Sequence, residues 1–238
     1  MNKLAVLSFA VLGITFTGMA APICVTDTLS NYVALSSGGC MVGTTVLANF
    51  SSLTLPNGST QIPLSSILVT PLNVAGSPGL QFGLNVNAQS GGAQDALFGY
   101  KVTAGSITGA SLTSTGFSAT GNSGTALAAK NLCLGGNFAP GTIAGCSTGS
   151  TRALSNVVIA GAVPFSQLTD ATTFPSVSSL GVVDNFVADS GGTGTAAIAG
   201  TVTNSFTASG APVPEPATML LFSAGLCGLV FWRRRVVG

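Results

Sequence analysis

The stretch Leu80-Gln81-Phe82-Gly83-Leu84-Asn85-Val86 sets a large apolar side chain at every second position, with Gln81, Gly83 and Asn85 between them. Successive side chains of a strand point to opposite faces, so a period of two predicts a β-strand with one buried face. The same period runs through Phe98, Tyr100 and Val102, and more weakly through Ala197, Ala199, Thr201 and Thr203. Between such runs stand turn formers: Pro56-Asn57-Gly58-Ser59, Ser77-Pro78-Gly79, Ser90-Gly91-Gly92 and Gly121-Asn122-Ser123-Gly124. Many short Ser/Thr/Val-rich strands punctuated by glycine predict an all-β domain, a single β-sandwich of immunoglobulin-like or jelly-roll type. A solenoid would need a fixed repeat. The Thr-Gly steps at 108–109, 115–116 and 120–121 are unequally spaced, so they read as turns.

The whole chain of 238 residues has Lys+Arg 7, Asp+Glu 6 and His 0, so 5% is charged where an ordinary soluble domain has roughly a quarter. Charge-driven disorder, a coiled coil and a nucleic-acid surface each need charge that is not present. The missing histidine removes the commonest general base and most metal sites. Lys3, Glu215, Arg233, Arg234 and Arg235 lie near the ends. Between them remain Lys101, Lys130 and Arg152 against Asp27, Asp95, Asp170, Asp184 and Asp189, a weakly acidic set that makes neither nucleic acid nor anionic lipid an expected partner.

Mean hydropathy is +0.61, and the longest apolar runs are at the two ends. Met1-Asn2-Lys3 is followed by an apolar run from Leu4 to Phe16 and then by Thr17-Gly18-Met19-Ala20-Ala21-Pro22. One positive charge, a short apolar core and the small pair Gly18 and Ala20 predict a secretory signal peptide over residues 1–20, cut after Ala20. At the other end, Val213-Pro214-Glu215-Pro216 precedes an uncharged, mostly apolar stretch over 217–232 and then Arg233-Arg234-Arg235. As a helix the stretch covers about 24 Å, short of the ~30 Å hydrocarbon core by an amount that local thinning and snorkelling arginines can meet. It predicts a transmembrane helix with its arginine end in the cytoplasm and the preceding chain outside. The expected division is a signal peptide 1–20, an ectodomain 21–208, a linker 209–213 and a C-terminal signal 214–238.

The run Val213-Pro214-Glu215-Pro216-Ala217-Thr218, the apolar span and the terminal arginine cluster together resemble the PEP-CTERM sorting signal of Gram-negative bacteria. The resemblance is confined to about the last 25 residues. It implies export, transient anchoring in the inner membrane by the C-terminal helix, and processing near Pro214, Glu215 and Pro216 by a membrane-embedded exosortase. It further implies residence at the cell surface or in the extracellular matrix, in association with exopolysaccharide or biofilm. The residues support the same role: two prolines lack backbone donors and disfavour helix in the residue before each, so the segment stays extended where a protease can bind it.

Cys227 falls in the apolar span, while Cys24, Cys40, Cys133 and Cys146 fall on the oxidising, exported side. Four cysteines permit three pairings; Cys24–Cys40 with Cys133–Cys146 is expected, because both close short loops in Gly-rich sequence. The spacings lack the close pairs of structural zinc motifs.

Catalytic chemistry finds little support. Asp189-Ser190-Gly191 resembles half of an aspartic-protease dyad, but one copy supplies one carboxylate and a solvent-facing turn explains it. Glycoside hydrolysis needs two carboxyl groups roughly 5–10 Å apart, for which Asp184 and Asp189 are the pair to test. Lys101 and Lys130 read as exposed ends of strands or turns, and the five aspartates as turn or strand-edge residues. Asp184, Asn185 and Asp189 could contribute oxygens to calcium, although no known calcium-loop pattern is present. The expectation is therefore a non-enzymatic exported surface or matrix protein without a cofactor, contacting polysaccharide through neutral hydroxyl and amide groups. A carbohydrate-active enzyme using aspartates and an ice- or surface-binding adhesin are the alternatives.

Overall fold

The computed structural model describes residues 21–55, 59–74, 76–138, 146–162 and 164–209. The signal segment with Ala20, most of the linker, Pro214, Glu215, Pro216, the 217–232 stretch, Cys227 and Arg233, Arg234 and Arg235 lie outside the described residues. Ala21–Val213 groups as one compact unit. Among the described residues, no helix is long and apolar enough to cross a membrane.

The described chain is all-β. Its strands are β1 (Asp27–Thr28), β2 (Cys40–Val42), β3 (Thr45–Ser52), β4 (Thr60–Gln61), β5 (Leu68–Val74), β6 (Ser77–Gln89) and β7 (Ala93–Ser114). They continue as β8 (Phe117–Thr120), β9 (Thr125–Leu134), β10 (Ser150–Ile159), β11 (Phe165–Gln167), β12 (Thr169–Asp189) and β13 (Thr195–Ser209). One short helix, α1 (Leu29–Ala34), is capped by Thr28, whose hydroxyl accepts from the Asn31 backbone N–H.

Hydrogen bonding joins all 13 strands in one open sheet of order β1-β5-β6-β13-β7-β12-β9-β10-β11, antiparallel except where β4 runs parallel to β7. The expectation of two separate sheets, immunoglobulin-like or jelly-roll, is corrected here to one continuous sheet that bends over itself. The cause lies in β7 and β12, 22 and 21 residues long. The first half of β7 pairs with β3, its second half pairs with β13, and β12 accompanies both halves. Register shifts fall at Thr173/Val177 and Val177/Ser179, where the extra residues let the paired strands bend. Phe82 of β6 consequently packs on Phe98 of β7 and Phe186 of β12, with ring centroids 5.1 and 5.5 Å apart, although β6 pairs with neither strand. Two layers thus enclose one core, which gives sandwich-like packing without a second sheet.

The deciding stretch lies inside β6, with Leu80, Phe82, Leu84 and Val86 all buried. Phe98, Tyr100 and Val102 are likewise buried in β7. Three expectations need correction. Residues 197, 199, 201 and 203 belong to a strand, but they take its outward face, and Ala196, Ile198, Val202, Asn204 and Phe206 point inward. Ser77-Pro78-Gly79 begins β6 rather than forming a turn. Thr108-Gly109 lies within β7, whereas Gly116 and Gly121 occupy turns with φ of 69° and 80°.

Candidate functional site: a buried polar cluster and the C-terminal motif

Both expected disulfides, Cys24–Cys40 and Cys133–Cys146, are formed. The first ties the segment before β1 to β2; the second ties the end of β9 to the segment leading into β10. Beside Cys24–Cys40 a shallow apolar groove of about 160 Å³, lined in part by Ile23, Val25, Tyr32 and Leu35, is smaller than the cavities that enclose small ligands.

The charged residues divide in a way the sequence reading missed. Lys130 and Asp184 are fully buried and Asp95 is 2% exposed, which corrects the reading of these three as turn, edge or exposed groups. Lys130 on β9 and Asp184 on β12 are direct register partners, and paired positions of adjacent strands bring their side chains together. Asn204 on β13 donates its Nδ2 to Asp184 Oδ2 and, at 2.9 Å, to the Tyr100 hydroxyl. Lys130 Nζ donates to the Ser111 carbonyl at 2.8 Å and stands 4.8 Å from the centroid of the Phe206 ring. Phe206 is two residues beyond Asn204 on the same face of β13, so the amine reaches across the core toward that strand. Asp184 Oδ1 and Asn204 Oδ1 are buried without a hydrogen-bond partner among the described residues.

Burial sets the protonation of this cluster. Loss of water pushes the Lys130 ammonium down, with the Asp184 charge opposing, and pushes the Asp184 carboxyl up against the opposing Lys130, Asn204 and Tyr100. The Tyr100 hydroxyl is pushed well above its ordinary value by burial and by Asp184. The core therefore brings an amine, a carboxyl, a carboxamide and a phenol together, with the amine and carboxyl biased toward their neutral forms. Sequence parity carries the signal that finds three of them: Lys130, Asp184 and Asn204 each interrupt an apolar i±2 series, as Lys130 does between Ala128 and Leu132, whereas Tyr100 continues one.

The carboxylates of Asp27, Asp170 and Asp189 accept backbone hydrogen bonds. Asp27 Oδ1 accepts from the Thr28 N–H and from the Asn31 side-chain Nδ2. Asp170 accepts from the Ser155 and Ala171 N–H groups. Asp189 Oδ1 accepts from the Gly191 N–H at 2.8 Å, closing the turn read from Asp-Ser-Gly. Asp184 faces the core whereas Asp189 lies at odd parity on β12, so the two carboxyls are on opposite faces of the sheet. Among the described residues no group of three or more His, Cys, Asp or Glu could hold a metal.

The C-terminal residues carry a separate signal. Residues 212–235 match the PEP-CTERM protein-sorting motif. The motif marks an exported protein whose tail is sorted by an exosortase, a membrane enzyme. No curated protein matches the chain in sequence. Among solved structures it is similar to the enzymatically active domain of bacteriophage CBA120 tailspike protein 4, at 14% identity and a TM-score of 0.25, over 74% of this chain and 21% of that one. It is also similar to TmCBM61, solved in complex with β-1,4-galactotriose, at 10% identity and a TM-score of 0.22, over 57% of this chain and 80% of that one. The chain thus spans about a fifth of the tailspike domain's length.

Proposed function

We propose that the chain is a non-enzymatic surface or matrix protein: a β domain carried through the inner membrane, anchored briefly by residues 217–232, and released by exosortase processing near Pro214-Glu215-Pro216. The observation that carries this reading is the sorting motif at 212–235. The domain's chemistry is compatible with it, since the carboxylates left near the surface cap turns and strand ends and the two most buried ones lie inside the core. We further propose that the exposed face binds exopolysaccharide through neutral groups. Hydroxyl pairs such as Ser106–Ser176, Thr115–Thr201 and Thr120–Thr195, 2.7 to 3.0 Å apart, mark an outer surface of donors and acceptors with little charge.

Mass spectrometry of protein recovered from the cell surface tests the sorting step. Termini at Ala21 and near the Pro-Glu-Pro motif are expected; an intact Arg233–Arg235 tail on released protein would overturn it. Retention of the released protein by the cell's own extracellular polysaccharide tests the binding step, and failure to be retained would overturn that half alone.

A further inference from the structure

We propose that Lys130 and Asn204 join in an intramolecular isopeptide bond, formed within the folded core and promoted by Asp184 and Tyr100. Nothing in the surface reading above requires these four side chains, which the fold gathers into one buried cluster. Lys130 supplies the nucleophile: its Nζ is fully buried, held by the Ser111 carbonyl and lodged over Phe206 on the strand that carries Asn204. Asn204 supplies the electrophile, a carboxamide with no access to water. Asp184 touches that carboxamide and is the register partner of Lys130, so it adjoins both the strand of the nucleophile and the electrophile itself.

Burial also favours the protonation states the reaction needs. It lowers the lysine toward the free amine, which alone is nucleophilic, and raises the aspartate toward the acid, which alone can donate a proton. Turning the Asn204 amide over about its terminal bond presents Oδ1 to the Tyr100 and Asp184 hydroxyls. Those two donors then polarise the carbonyl and stabilise the oxyanion that develops on it. The amide oxygen that otherwise lacks a partner gains two.

The step balances without a co-reactant. The Lys130 amine attacks Asn204 Cγ, the Nζ–Cγ bond forms, the Cγ–Nδ2 bond breaks, and one molecule of ammonia leaves. The proton that Nζ gives up reaches the departing nitrogen through Asp184, which ends as it began. No atom is oxidised or reduced. The product is an amide that bears no charge, so the core loses the buried ionisable amine of Lys130 and keeps the Asp184 carboxyl. It would tie β9 to β13, which are not neighbours in the sheet, and so bolt one layer of the fold to the other.

The test uses the full-length chain, expressed, folded and then reduced to open both disulfides. Its mass is expected to fall short of the processed sequence by one ammonia, and trypsin is expected to leave residues 102–152 uncut at Lys130 and covalently joined to the peptide that holds Asn204. Lys130→Arg and Asn204→Ala should each abolish the joined peptide, and Asp184→Ala should abolish it or slow its formation at least tenfold. The wild-type digest decides the matter even where a variant fails to fold. Separate, unmodified Lys130 and Asn204 peptides from the folded protein would overturn the proposal. So would loss of one ammonia with Lys130 still cleavable, which is succinimide formation at an asparagine. Loss of one water with Lys130 joined to Asp184 would overturn the assignment of Asn204 as the electrophile.

Discussion

Asp95 shows how one residue can tie stability to pH. Its side chain is 2% exposed, Oδ1 has no hydrogen-bond partner among the described residues, and burial pushes the carboxyl up to about 6. In the unfolded chain it ionises at about 4. Between those values the folded state holds a proton that the unfolded state has released, so stability falls as pH rises through the interval and the penalty is complete above it. Two units correspond to about 3 kcal/mol before relaxation of the site. Asp95→Asn should therefore be more stable than wild type by about 2 kcal/mol near pH 7.5 and about equal near pH 4, as read from denaturant midpoints. Equal stability at both pH values would place Asp95 in contact with water. Asn156 is buried and donates to the Leu112 and Leu168 carbonyls and to Ser114 Oγ at 2.9 to 3.1 Å. Asn156→Ala should cost about 2 kcal/mol in urea denaturation, because it strips Ser114 of this donor and leaves a hole between β10 and β7. The placement of such polar residues on a buried face was legible in the sequence, since Val182 and Phe186 flank Asp184 as Val202 and Phe206 flank Asn204. Their meeting was not legible. It depends on the β9–β12 register and on the bend that brings β13 over them, and both are set by distant residues.

At the scale of elements, period-two patterning located β6 and β7 but glycine misled the reading of turns. Gly79 and Gly109 sit in strands, where an added Cβ would come within 2.2 Å of the Asn204 carbonyl and 3.1 Å of the Thr172 carbonyl. These glycines admit a neighbouring backbone rather than a reversal of the chain, a use that local sequence cannot distinguish from a turn. The Cys133–Cys146 pair was legible because chain proximity alone makes it the easy closure. Folded contacts already hold the stem of this loop: the Ser147 N–H and hydroxyl both donate to the Asn137 carbonyl, at 2.9 and 2.8 Å. The bridge therefore acts mainly on the unfolded chain, whose freedom it reduces. Replacing both cysteines by serine should lower stability by about 3 kcal/mol while leaving the far-ultraviolet circular dichroism of the sheet unchanged. A loss of sheet signal under native conditions would show instead that the bridge shapes the fold.

For the whole molecule, the structure shows where its few charges go. With Lys130, Asp95 and Asp184 inside, the charges nearer the surface of the described domain are Asp27, Lys101, Arg152, Asp170 and Asp189. These three acids all accept local backbone hydrogen bonds, which leaves them less able to serve as sites for a charged partner. The proposed contact with polysaccharide would then rest mainly on hydroxyls and amides, whose hydrogen bonds are little screened by salt. Attraction between opposite charges behaves differently, because counterions compete with it and its strength falls steeply as ionic strength rises. Retention of the processed protein by exopolysaccharide should accordingly change less than about twofold between roughly 0.05 M and 0.5 M salt, a range over which the Debye length shrinks from more than 10 Å to about 4 Å. Measured by co-sedimentation, a tenfold fall across that range would mean that the few surface charges, rather than the neutral face, hold the protein in place.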